Sequence, residues 1–147
     1  MTRVKITRTA PGGVGLDEWF DNLKDRIEDG NREVLEDGIE VIDRSMRDNI
    51  ASRPTAWMAE NWGKSGRIET HKMLNSVGHE VRSNTATRWT GAAGWVQTKE
   101  DYFLIQEEGG VNTFTGGRIE AMYAMRDAAA SEWGVIQARI KENIENA

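Results

Sequence analysis

The sequence predicts an α+β fold with a long N-terminal helix, a small antiparallel β-sheet with a hairpin, and a C-terminal helix packed on the sheet. Apolar residues recur at helical spacing from Leu16 to Ile50. Two runs in the middle of the chain alternate with a period of two, which is typical of strands. Helical spacing returns from Arg118 onwards. At 147 residues the chain is expected to form a single domain, 1–147, with a core of its own.

Residues 1–15 are predicted to be an N-terminal arm that is either flexible or strand-forming. The stretch "VKITR" alternates apolar and polar residues, and "APGGVG" predicts a turn. The long helix follows and should end before Pro54. Gly30 and Gly38 fall near its apolar stripe, where each costs about 1 kcal/mol relative to alanine. We therefore expect a bend or a close helix contact at these glycines.

The hairpin is predicted from "SVGHEVR" and "TRWTGAAGWV", which alternate with a period of two on either side of a turn at Ser83–Thr85. A short helix is predicted after the hairpin. Thr98 is expected to cap its start, because a threonine hydroxyl can accept a hydrogen bond from the first turn. Gly109 and Gly110 are expected to end it.

Two exposed loops are predicted, over residues 53–66 and 110–117, because neither segment shows an apolar period and both contain glycine. The C-terminal helix is expected to begin near Arg118. Its predicted apolar stripe consists of Ile119, Met122, Tyr123, Ala129, Ala130, Trp133, Ile136, Ile140 and Ile144.

The composition excludes several classes of function. The chain has no cysteine, which removes disulfides, thiol catalysis and cysteine-based zinc sites and fits assembly in a reducing cytoplasm. Apolar runs are far shorter than the roughly 20 residues of a membrane helix, and the N-terminus lacks the apolar core of a signal peptide. We therefore expect no membrane partner.

Charge alternates in sign along the chain, although the net charge is only −5. Residues 17–48 carry 12 acidic and 5 basic side chains, whereas residues 49–99 carry 7 basic and 3 acidic ones. This alternation suits a molecule that meets copies of itself or neighbours of opposite charge. Solvated helix faces beside a mixed loop would give the same pattern, so both interpretations stay open.

No catalytic, cofactor or metal site is predicted. Glu107 and Glu108 are adjacent in a predicted helix, where neighbouring side chains point about 100° apart and cannot converge on one substrate. We expect their helix to dock on the sheet instead. The "GKS" at Gly63–Ser65 lacks the first glycine and the preceding strand of a phosphate-binding loop. The two histidines, His71 and His79, have no partner at metal-ligand spacing.

Aromatic and basic residues interleave in the loop 53–66 and just beyond it. Such a loop could stack on and grip single-stranded nucleic acid, but acidic flanks oppose this, and the chain has six tryptophans, a residue type enriched at protein interfaces. We favour a protein-binding surface. The predicted interface residues are Trp57, Trp62, Lys64, Arg67, Tyr102, Phe103, Glu107 and Glu108.

Four segments in order carry a family resemblance. A long amphipathic helix ends in "ASRPT"; then come "GRIETHKMLNSV", a hairpin ending in "GWV", and "DYFLIQEEGG" before the last helix. Over roughly residues 16–145 the chain resembles the tail-completion, or head–tail joining (neck), proteins of long-tailed double-stranded DNA phages. Tyr102, Glu107 and Gly109 match the family's Tyr–x–x–x–x–Glu–x–Gly pattern, whereas His71 stands where the family often has glycine.

The resemblance implies a structural virion protein without an active site. Such proteins form a ring, commonly of six copies, between the head connector or stopper protein and the tail terminator or tail tube. Genomic DNA passes through the lumen without specific binding, and the protein resides in the virion neck after assembly in the host cytoplasm. Two alternatives remain: a tail terminator that caps the tube and, from another class, a small single-stranded nucleic-acid-binding module.

Overall fold

The computed structural model describes residues 13–54, 60, 72–85, 88–96, 100–113 and 115–147. Their elements, in chain order, are α1 (Leu16–Ser52), α2 (Lys72–Asn75), β1 (Gly78–Thr85), β2 (Arg88–Gly94), α3 (Asp101–Glu108), β3 (Gly110–Val111), β4 (Arg118–Ile119) and α4 (Ala124–Glu145). The predicted α+β class is confirmed: a long N-terminal helix, small antiparallel sheets and a packed C-terminal helix. The predicted strand in the N-terminal arm and most of the loop 53–66 lie outside the described residues. So does Thr98, but its prediction as the cap of α3 is wrong, because α3 begins at Asp101 and Glu100 holds the cap position.

The two long helices run antiparallel. Near one end Asn49 Nδ2 donates to the carbonyl oxygen of Ala124 over 3.0 Å, and near the other Asn143 Nδ2 donates to that of Ile27 over 3.1 Å. A Cβ atom on Gly38 would overlap the side chain of Ile136, and one on Gly30 would overlap Asn143. The close helix contact predicted at these two glycines is thereby confirmed.

The hairpin β1–β2 packs against α1, and its end at Gly94 also approaches Met125 of α4. Its ladder pairs Gly78 with Gly94 and Ser83 with Trp89. The turn predicted at Ser83–Thr85 is wrong, because Ser83 and Thr85 both belong to the ladder, with an irregularity between them. The sheet approaches α1 closely, since a Cβ on Gly91 would lie only 2.6 Å from Ile39 Cγ1.

A second, two-residue ladder brackets the predicted loop 110–117: its first strand takes up residues 110–111, while residues 112, 113 and 115–117 lie outside helices and strands. Gly110 and Val111 pair with Ile119 and Arg118, so the C-terminal helix does not begin at Arg118 as predicted. It begins at Ala124 because the preceding segment is tied to the end of α3: the backbone nitrogen of Met122 donates to Gln106 O, and that of Tyr123 to Glu107 O, over 2.9 and 3.0 Å.

One apolar core joins the two long helices, the hairpin and α3. Its buried residues include Met46 and Ile50 of α1, Phe103 of α3 and Ile136 of α4. On α4 the buried side chains are Ala124, Ala128 and Ile136. The stripe predicted for this helix is therefore partly wrong, because Ala129, Ala130 and Trp133 are exposed.

Candidate interaction surface

The predicted interface residues divide into two groups. Trp57, Trp62, Lys64 and Arg67 lie outside the described residues. The other four lie on α3, where Tyr102 is 41% exposed and Glu108 is exposed at the end of the helix. Tyr102 and Glu108 therefore remain available to a partner.

Phe103 is a core residue and is almost wholly buried, so its prediction as an interface residue is wrong. Its side chain is 1% exposed. The ring lies 5.2 Å, centroid to centroid, from Trp95 and 4.5 Å from Tyr102. Packing against Trp95, at the end of the hairpin, fixes α3 to the rest of the core.

Glu107 is also buried, at 3% exposed, so its prediction as an interface residue is wrong as well. Its Oε1 accepts hydrogen bonds from the backbone nitrogens of Met125 and Arg126, over 2.9 and 3.0 Å. These are first-turn amides of α4, which have no partner within their own helix. Glu107 thus caps α4 from a different helix, and its negative charge is stabilised by the positive end of the helix dipole.

The adjacent carboxylates do not form a shared cleft. Glu107 points into the junction with α4, while Glu108 is exposed. Glu107 Oε2 is buried without a hydrogen-bond partner among the described residues. An arrangement with one carboxylate engaged as a cap and its neighbour in solvent does not present two carboxyl groups to one substrate.

An apolar groove of about 630 Å³ lies beside α3. It is lined mainly by Trp95, Val96, Phe103, Leu104 and Met125, with Glu100 at its edge. Leu104 is 55% exposed. Apolar pockets with few polar groups are typical places for apolar side chains of ligands or partners to bind.

The one buried charged network among the described residues links α1 to the hairpin. Asp43 is 6% exposed. Its Oδ1 accepts a hydrogen bond of 2.6 Å from Arg47 Nε, and its Oδ2 lies 2.6 Å from His79 Nδ1. The Arg47 guanidinium also donates to the carbonyl oxygens of Leu74 and Val77. Burial by itself raises the pKa of Asp43, but the hydrogen bonds from His79 and Arg47 outweigh it and lower this pKa.

The first two turns of α1 form a surface that the sequence predictions missed. α1 has 37 residues and α4 has 22. Since Asn143 already lies opposite Ile27, and α4 ends at Glu145, roughly two turns of α1 extend past the end of α4. We call residues 16–23 the overhang of α1.

The overhang continues the apolar stripe that packs on α4. Leu16, Phe20 and Leu23 follow the helical spacing that leads to Ile27. Phe20 is 57% exposed, and its ring stacks edge-on against Trp19 at 5.1 Å between centroids. The sequence did carry a signal for this surface, because the apolar stripe of the first helix is much longer than that of the last.

α4 carries a second exposed apolar surface on the side facing away from the core. Trp133 is 58% exposed and Ile144 is 51% exposed. We call this side the outer flank of α4; its residues are Arg126, Ala129, Ala130, Trp133, Gln137, Lys141 and Ile144. Ile140 lies at the edge of this flank and packs against the core of its own chain. A tryptophan among small side chains is the kind of anchor that dominates protein interfaces.

In the described part of the chain, no group of three or more histidine, aspartate or glutamate side chains is placed to hold a metal ion. None of the helices described above combines the length and apolar character needed to cross a membrane.

Comparisons of the chain with models of known protein families, with curated proteins and with solved structures yield no match.

Proposed function

We propose that this chain is a structural subunit of a phage neck, forming a ring that joins or completes the tail at the head–tail interface. The observation that carries the proposal is the overhang of α1, where Phe20 is 57% exposed. A helix that extends its apolar stripe past its own partner helix exposes Phe20 and half-exposes Leu16 and Leu23, and such a surface is usually covered by another protein chain.

Two different apolar surfaces on one subunit favour a ring. The overhang lies at the N-terminal end of α1, and the outer flank of α4 centres on Trp133. When a surface of one copy binds a different surface of the next, the contact is heterologous and generates a closed ring or an open filament. A subunit that pairs one surface with itself would instead stop at a dimer.

The proposed partners follow from the position of the ring. The head connector or stopper protein would bind one side, and the tail terminator or tail tube protein the other. Tyr102 and Glu108 on α3, with the apolar groove beside them, are the described surface that we assign to these partners. Genomic DNA passes through the lumen without specific binding, as suits a chain with a net charge of −5. The subunit assembles in the host cytoplasm and ends in the virion.

The purified chain provides the first test. Light scattering and negative-stain images at increasing protein concentration should show rings, commonly of six copies. Filter binding to single-stranded DNA across a salt series provides the matched control. Salt-sensitive affinity together with a monomeric chain would contradict the neck role and support the nucleic-acid-binding module instead.

Removal of the gene from its phage provides the second test. Particles should accumulate as separate full heads and finished tails, because each half assembles but the joint is missing. Tails of uncontrolled length would indicate a tail terminator. Normal infectious virions would contradict both roles.

A further inference from the structure

We propose that the overhang of α1 in one copy packs along the outer flank of α4 in the next copy. This inference rests on the proposed ring and adds the two surfaces that would form each subunit contact. Three features of the subunit point to this pairing: matching apolar spacing, opposite charge, and continuity with the contact that α1 already makes within its own chain.

The apolar spacing of the two surfaces matches. Leu16 and Phe20 are four residues apart on the overhang, and Ala129 and Trp133, both exposed, are four residues apart on the outer flank. Each pair therefore spans about 6 Å along a helix, at 1.5 Å per residue. Residues four apart lie in one row along a helix, and such rows are the ridges with which two helices interlock side by side.

The charges of the two surfaces are opposite. Residues 16–23 contain three acidic residues, Asp17, Glu18 and Asp21, and no basic one. On the outer flank both charged residues are basic: Arg126 and Lys141, whose side chains are 61% and 76% exposed. Their ion pairs within α4 are exposed and contribute little, so these cations can also face an acidic neighbour. Two overhangs facing each other would instead place acid against acid.

The existing helix contact shows what the stripe of α1 binds. From Ile27 onwards the stripe packs against α4 of the same chain, where Asn143 and Ile136 lie against Gly30 and Gly38. The overhang presents the next residues of that stripe to solvent. A second α4, supplied by a neighbouring copy, would extend the same kind of helix pairing beyond the end of the first.

Two charge-introducing variants test the pairing. Phe20→Glu places a carboxylate on the overhang, and Trp133→Glu places one on the outer flank. Both side chains are more than half exposed, so circular dichroism and the melting temperature should stay close to those of the parent chain. Val111→Glu is the matched control, since Val111 is 60% exposed and belongs to neither surface.

Each variant alone should fail to form rings, with at least a tenfold weaker self-association, while Val111→Glu assembles normally. An equimolar mixture of Phe20→Glu and Trp133→Glu should form a one-to-one dimer. The first variant keeps an intact outer flank, the second keeps an intact overhang, and these two surfaces can still bind. Light scattering or sedimentation measures all four samples.

The outcomes separate this inference from the proposed function. Rings formed by the parent chain and also by Trp133→Glu would overturn the pairing but leave the neck role in place. A mixture that stays monomeric while the parent chain forms rings would do the same. A parent chain that stays monomeric at every concentration and with every virion component would contradict both.

Discussion

Ile136 lies against Gly38 in the space that a Cβ atom on this glycine would occupy. The two long helices can therefore approach each other closely only because position 38 has no side chain. A glycine inside a helix costs about 1 kcal/mol relative to alanine. Tight packing of Ile136, which is 3% exposed, offsets that cost here.

Gly38→Ala should destabilise the fold by about 1–3 kcal/mol, because overpacking of a buried helix contact outweighs the gain in helix propensity. Gly134→Ala on α4 is the matched control: a Cβ there meets nothing within 4 Å, so alanine should stabilise by about 0.5–1 kcal/mol. Urea denaturation measures both. Equal effects of the two substitutions would show that Ile136 does not restrict position 38.

Glu107→Ala should destabilise the fold by about 1–2 kcal/mol, because it leaves the first amides of α4 without their acceptor. Glu107→Gln should cost less, since its amide oxygen can still accept from Met125 N and Arg126 N. Denaturant unfolding separates the two variants. Full stability of Glu107→Ala would mean that solvent caps α4 equally well.

Phe103→Ala should destabilise the fold by about 3–5 kcal/mol, the usual cost of truncating a fully buried phenylalanine. Tyr102→Ala, at the neighbouring exposed position, should cost much less. If Tyr102 contacts a partner, its variant should instead lose binding to neck components while keeping its melting temperature. Comparable unfolding midpoints for the two variants would contradict the assignment of Phe103 to the core.

Helical periodicity was enough to predict the first long helix, because α1 carries one continuous apolar stripe from Leu16 to Ile50. It also located the contact at Gly30 and Gly38. The C-terminal helix was harder. Its sequence allows two apolar sides, one with Ala128 and Ile136 and one with Trp133, and only packing against α1 decides which is buried.

The start of α4 could not be predicted from local sequence, since it is set by contacts with other elements. Tyr123 has a φ of 53°, an uncommon left-handed conformation for a residue with a side chain, and it interrupts the helical pattern. Arg126 lies over its ring at 3.6 Å, and Glu107 and Arg53 hold the backbone nearby. The role of Glu107 as a cap is equally non-local, because the backbone N–H groups that donate to its carboxylate belong to another helix, α4.

Acid should weaken the link between α1 and the hairpin. Although burial alone would raise it, the pKa of Asp43 is lowered below its ordinary value of 3.8 by the hydrogen bonds from His79 and Arg47. A carboxylate with a lowered folded-state pKa stabilises the fold at pH values above 3.8, and this contribution is lost as pH falls through the folded pKa. Melting temperature should therefore drop below about pH 4 in part because Asp43 takes up a proton.

Asp43→Asn isolates this contribution. The amide cannot carry the negative charge that Arg47 and His79 face, so the variant should be less stable than the parent chain at neutral pH, by about 1–3 kcal/mol. The difference in melting temperature between the two should shrink as pH falls from 7 towards 3. Asp48→Asn, at an exposed position of the same helix, should shift stability little. A parent–variant difference that stays constant over this pH range would rule out Asp43 as a source of the acid sensitivity.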